Sequence, residues 1–312
     1  NILVEIDRAH GHSREDGDWT GARRYRVEAD DDTVHITSPI AVDLGEVDSG
    51  APSTFIEFIA WGVENHPAKR YAFVIWNHGW GWTIAPSRKG VASDDHSGSD
   101  LTVAGGEYEA ILQAATDITG APIALLGMDA CLMASWEVAR VGADYGEIFV
   151  ASQATESWDG WAFDTALSDL KADPGMGAGE LGTVIAQRFH ETEDATLSVI
   201  DLAQLRAMDG ALDAFSNAIM ADDDPRDEAR RQARRSQGFD GDPNDKDLGD
   251  FMSRMADASD NPDIISAAED VSAELSEVIV SNFTYGDWVS DATGLSIYLT
   301  LDGPDSGYLA GN

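Results

Sequence analysis

Short apolar runs alternate with segments of helical period along the first two thirds of the chain. The strand-like runs are Ile2–Ile6, Tyr25–Ala29, Val34–Ile36, Tyr71–Trp76, Ile123–Met128, Ile148–Ala151 and Leu197–Ile200. Between them the spacing predicts helices over Ser53–His66, Glu107–Ile118, Leu132–Val141 and Leu181–Glu191. Ser53 is the expected N-cap of the first, with Phe55, Ile59 and Val63 on one face. The stretch from Thr83 to Leu101 is polar and reads as a loop. Apolar strands alternating with helices predict an α/β fold: a mostly parallel sheet covered by helices on both faces.

The remainder is more helical. Leu202–Met220 and Pro225–Ser236 carry helical patterns, and helices resume near Leu248 and Ile264. Gly238 to Lys246 is rich in turn formers and reads as a linker. A last strand, Leu295–Leu299, is placed to return to the sheet. No internal repeat or clean boundary divides the chain. The expected organisation is one domain over residues 1–312, with an α/β core over 1–200 and a helical extension over 201–312.

Charge changes the picture. Against 20 Lys+Arg stand 57 Asp+Glu, a net charge of −37. Phosphate binding needs a basic face, so nucleic acid is not an expected partner. Arg226, Arg230, Arg231, Arg234 and Arg235 share one predicted helix, where pairing with acidic neighbours is the expectation. Such self-repulsion suits high salt, where the Debye length falls to about 3 Å at 1 M. A protein of a high-salt organism is therefore expected, with calcium binding by carboxylates as the rival reading. No run of 18 apolar residues is present, so no membrane-spanning helix is expected. The abrupt opening at Asn1 suggests that residues upstream have been removed or omitted.

Two apolar runs end in reactive groups. Tyr71-Ala-Phe-Val-Ile-Trp-Asn leads to His78 and Gly79, and Ile123-Ala-Leu-Leu-Gly-Met-Asp-Ala leads to Cys131, the one cysteine of the chain. The thiolate is the nucleophile, and histidine is the usual base because its pKa lies near working pH. Both belong where loops leave the C-terminal ends of parallel strands. The N–H groups of Gly79 and Cys131, the latter opening a helix-like segment, are placed to stabilise an oxyanion. Singly, each has a plainer reading: an inert buried thiol and a structural histidine. Their pairing at the ends of two like strands favours chemistry.

Phe73-Val-Ile-Trp-Asn-His78-Gly79 and Leu126-Gly-Met-Asp129-Ala-Cys131 resemble the histidine and cysteine motifs of the caspase-like cysteine peptidases, and most closely those of the clostripain family. Ile6-Asp-Arg8, Trp19 to Tyr25, Asn77 to Trp82, Ala151 to Glu156, Asp159-Gly-Trp161 and Gly294 to Tyr298 also resemble family segments. The resemblance implies a caspase-like sandwich, with His78 as general base and Cys131 as nucleophile forming a thioester acyl-enzyme. Gly79 and Cys131 would supply the oxyanion hole. It also implies cleavage after Arg or Lys in peptide or protein substrates, which needs a carboxylate in the pocket. Asp129 matches the family motif and Asp159 is the second candidate. Asp129 could instead orient the cysteine loop, and Asp159 could be a turn former. Self-processing at Arg88 or Lys89 and a secreted location follow from the same resemblance. The chemistry needs no cofactor. Calcium dependence occurs in the family, and Asp30 to Asp32, Asp94 with Asp95, and Asp222 to Asp224 offer hard oxygen ligands without EF-hand spacing. The resemblance also implies a first strand and helix ahead of Ile2–Ile6, which another chain would supply or which have been omitted.

Two rivals remain open to the sequence. His10, His12, His78 and His96 with Asp94, Asp95 and Asp129 could serve a metal-dependent hydrolase. The fold could also persist as a catalytically inactive binding module.

Overall fold

The computed structural model describes residues 1–11, 14–32, 34–82, 90–191, 195–221, 223–239 and 242–300. The chain opens with strands β1 (Leu3–Arg8), β2 (Gly21–Arg26) and β3 (Ile40–Gly45), then helix α1 (Pro52–Asn65) and strand β4 (Ala72–Trp76). Next come β5 (Ala92–Ser93), β6 (Asp100–Leu101), α2 (Glu107–Thr119), β7 (Ile123–Asp129), α3 (Trp136–Gly142), β8 (Gly146–Ala151), α4 (Phe163–Ala172), α5 (Ala178–His190) and β9 (Thr196–Asp201). The second half holds α6 (Leu202–Ala207), α7 (Asp209–Met220), α8 (Asp223–Arg235), β10 (Gly238–Phe239), β11 (Asp242–Asp247), α9 (Leu248–Ala258), α10 (Pro262–Val278), β12 (Ile279–Thr284) and β13 (Ser296–Tyr298).

Five strands form the main sheet in the order β12-β9-β8-β7-β4. The β4, β7 and β8 half is parallel, as the apolar runs predict, whereas β9 and β12 run antiparallel to their neighbours. β7 is buried along its whole length, which is why its sequence shows no alternation. Side chains nonetheless alternate between two cores. Leu125, Ile148, Val150, Leu197 and Val199 pack with α4 and α5, joined by Trp161, Ile185 and Phe189. Leu126, Phe149 and Ile200 face the opposite way, in one cluster with Leu112 of α2, Val138 of α3, Phe251 of α9, and Ile264 and Val271 of α10. The helices of the second half thus complete the core begun by the sheet.

Several elements depart from expectation. The third strand is Ile40–Gly45, not Val34–Ile36. The Asp32 carboxylate accepts the backbone N–H groups of Val34 and His35, and that Asx turn leaves Val34 and Ile36 exposed. Helix α1 is capped at Ala51 with Pro52 in its first turn, rather than at Ser53. Helix α3 begins at Trp136 and not at Leu132, because Leu132 is left-handed (φ 63°) and Ala134 N–H bonds to the Ser152 carbonyl. The Ser135 side chain then caps the helix at Val138 N–H. The expected linker after Gly238 is a pairing of β10 with β11. The late strand β13 pairs with β11 and leaves the main sheet to β12, which follows α10 without any turn signal. On α8, Arg230 and Arg231 bond Asp227 and Glu228 one turn away. Among the described residues, no helix is long and apolar enough to cross a membrane.

Candidate active site

The parallel half of the sheet brings the two motifs together. Trp76 of β4 and Asp129 of β7 are the last partners of their ladder. His78 and Cys131 each lie two residues beyond that pair, so equal offsets carry both past the same edge of the sheet. Asn77 N–H reaches the Asp129 carbonyl at 3.4 Å and extends the pairing beyond the strands. The Asn77 side chain turns back and accepts the His78 N–H at 2.6 Å. The His78 ring meets the Trp158 indole edge-on, with centroids 5.2 Å apart at 82°. Trp158 itself is 79% exposed.

Gly79 lies against the backbone of Cys131. A Cβ there would overlap the Cys131 carbonyl oxygen and stand 3.0 Å from the Cys131 nitrogen, so only glycine fits. Cys131 does not open a helix as the sequence suggests. It sits in a turn followed by left-handed Leu132, a conformation that costs a branched residue about 1–2 kcal/mol. Leu132 is held there by burial against Trp80, Ala154, Phe239 and Val289, and by its N–H to the Ala154 carbonyl at 3.0 Å.

The third parallel strand contributes too. The segment leaving β8 runs past the thiol, and Glu156 N–H donates to Cys131 Sγ at 3.3 Å while the thiol faces the Glu156 carbonyl at 3.8 Å. The carboxyls of Glu156 and Asp129 both meet Trp161, Glu156 through the indole Nε1 at 3.5 Å and Asp129 through the backbone N–H. Asp129 is 2% exposed, and its Oδ2 accepts Trp161 N–H at 3.0 Å. Gly160 is left-handed (φ 67°), and a Cβ there would stand 2.9 Å from that same oxygen. Burial pushes the Asp129 pKa up to about 6, against the Trp161 N–H and the adjoining Glu156 carboxyl, which lower it. Burial, then the charge of Asp129, holds Glu156 well above the usual carboxylate range. Asp159 differs: it is exposed, in a turn where its N–H donates to Ser157 Oγ.

His78, Gly79, Asp129 and Cys131 are therefore brought together, and Asp159 lies on the exposed turn beside Gly160. Glu156, Leu132 and Trp158 were not singled out by sequence reasoning. Glu156 had one usable signal, as an acid just past the third strand of a parallel set. Arg88, Lys89 and His12 lie outside the described residues. His10 and His96 are exposed, and among the described residues no three His, Cys, Asp or Glu side chains are grouped to hold a metal ion. Asp94 instead receives backbone N–H groups from Ser49, His96 and Ser97, which outweigh its burial and lower its pKa.

A sequence model of the Clostripain family matches residues 1–305. The chain belongs to the clostripain family. It is therefore a cysteine peptidase, and the metal-dependent and inactive readings fall away. No curated protein matches the sequence. Among solved structures, a secreted C11 cysteine protease from Bacteroides thetaiotaomicron bound to an irreversible peptide inhibitor superposes with a TM-score of 0.66 at 16% identity, over 93% of this chain and 85% of that one. The same organism's protease called iotapain gives 0.67 at 14%, over 93% and 85%. An inactive zymogen C11 protease from Parabacteroides distasonis gives 0.63 at 18%, over 93% and 79%. The clostripain-family chain thus has the expected caspase-like fold, a mixed sheet flanked by helices.

Proposed function

We propose that this clostripain-family chain is an endopeptidase that cleaves after arginine and lysine, with Cys131 as nucleophile and His78 as general base. The observation that carries the reading is the equal offset of the two residues beyond the Trp76–Asp129 pair. A thioester forms as Sγ attacks the scissile carbonyl and His78 takes the thiol proton, then returns it to the leaving amine. The N–H groups of Gly79 and Cys131 would hold the oxyanion. Asp129 and Asp159 supply carboxylates for a basic side chain, one beneath the site and one on its rim. A net charge of −37 attracts basic substrates from a distance in dilute salt, an attraction that high salt screens.

The same specificity supports self-processing at Arg88 or Lys89. Both flanks of that segment are anchored. Trp82 is buried against Tyr298, and its carbonyl accepts Ala104 N–H at 3.2 Å. On the far side Gly90 lies against the Leu101 carbonyl, and Val91 N–H bonds to it at 2.8 Å. Cleavage between the two flanks would leave each end held.

Fluorogenic peptides ending in Arg, Lys, Asp or Asn test the reading. Turnover of the Arg and Lys peptides alone is expected, and equal or better turnover of the Asp peptide would refute basic specificity. On a denaturing gel the parent should run as two fragments and Cys131→Ala as one chain; identical patterns would end the processing claim. Repeating the panel in dilute and molar salt tests adaptation to high salt, for which activity should need the salt.

A further inference from the structure

Glu156 is the buried acid that the proposed chemistry leaves unused. Its Oε2 is fully enclosed and meets no N–H or O–H donor, while Oε1 receives only a long contact from Trp161 Nε1, at 3.5 Å. Asp129 lies beside it under Cys131, fixed by Trp161 N–H. No Arg or Lys among the described residues forms an ion pair with either acid. The other ionisable groups nearby are Cys131 at the end of the same strand as Asp129, His78 beyond Gly79, and Asp159 on the exposed turn. Two adjoining carboxyls without a cation cannot both ionise cheaply, so the empty site retains a shared proton.

Building on the basic specificity proposed above, we propose that Glu156 is a specificity-determining residue. With Asp129 it forms a one-proton carboxyl pair that releases its proton when the substrate's guanidinium or ammonium arrives. The empty pair carries one negative charge. With a basic side chain seated, two carboxylates and one cation carry the same net charge, so seating the cation adds no net charge to the low-dielectric site. An apolar or acidic side chain leaves the proton in place and gains nothing. Selectivity would therefore rest on exchanging a proton for a cation. The backbone of Glu156 also touches Sγ, so this exchange happens on the residue that flanks the nucleophile.

The consequence is linkage between pH and binding. While the pair keeps its proton, affinity for a basic side chain should tighten by up to about tenfold for each unit rise in pH. The sign follows from proton release: fewer free protons favour the bound state. Calorimetry on the Cys131→Ala protein, which cannot turn over, tests this with a short peptide amide ending in arginine. Titrations near neutral pH in two buffers of different ionisation enthalpy give the protons released. About one per peptide is expected. In Cys131→Ala/Glu156→Gln, binding should persist with release near zero, because the amide donates to an already ionised Asp129. A thermal melt of each variant beside the titrations guards against a folding defect. Equal release with and without Glu156→Gln overturns the pair. Tight binding without release in the Cys131→Ala protein overturns it while leaving basic specificity intact. If no basic peptide binds or is cleaved, the specificity fails, and this inference with it.

Discussion

Gly79→Ala lowers kcat/KM by about 100-fold or more, while the protein stays folded. The added methyl would overlap the Cys131 carbonyl oxygen and crowd the Cys131 nitrogen, and both of those contacts are backbone atoms that cannot rotate away. The two strand ends must therefore move apart. A shift of about 1 Å between reacting groups costs on the order of 100-fold, and loss of one oxyanion donor costs about 10²–10³-fold. Most of the loss should appear in kcat, because the disturbed N–H groups and thiol act on the scissile carbonyl rather than on the substrate side chain. Steady-state kinetics beside a thermal melt separate the two effects. Near-parental activity would show that Gly79 is not packed on the nucleophile.

Asp247→Ala costs about 3–5 kcal/mol of stability, as expected when a buried acceptor of several bonds is lost. Asp247 is fully buried and accepts from Gln153 Nε2, from both the N–H and hydroxyl of Thr293, and from Asp250 N–H. Gln153 in turn accepts Gly294 N–H at 2.8 Å. The network ties the start of α9 to the segment after β8, the same segment that carries Glu156 past the thiol. Alanine would strand four donors in a dry interior. Denaturant titration should show a lower midpoint at unchanged slope. Thr293→Val removes one of those donors together with its need for a partner, and should cost far less. A small loss in Asp247→Ala would mean that water replaces the carboxylate.

The parts of the fold visible in the sequence are those where burial and pattern agree. β4 and β7 are apolar runs of strand length, and each leads straight to a reactive residue, so the site's two poles could be read without coordinates. α2 and α5 showed their period for the same reason. The parts that stayed hidden depend on long-range pairing. β11 is built from turn formers, Asp242 to Asp247, and becomes a strand only because β13 lies beside it. β12 follows α10 directly, so no breaker announces it. At the site, Asp129 could be read because its position relative to Cys131 is local. Glu156 offered only its place after the third parallel strand, because its contact with the thiol depends on β8 lying beside β7. Leu132 looks like the first turn of a helix in sequence; its left-handed backbone arises from the pairing of residues 132–134 with the segment from Ser152 to Ala154.

His78 and Cys131 are proposed to form one catalytic pair aimed at basic side chains. Because Cys131 is the sole cysteine, intact-mass measurement after treatment with peptide electrophiles tests it without ambiguity over the thiol. A reagent ending in arginine should add once, at Cys131, with the addition much slower in His78→Ala, while a matched reagent ending in aspartate leaves the protein unmodified. Equal labelling by the aspartate reagent, or arginine labelling that proceeds unchanged without His78, would contradict the account.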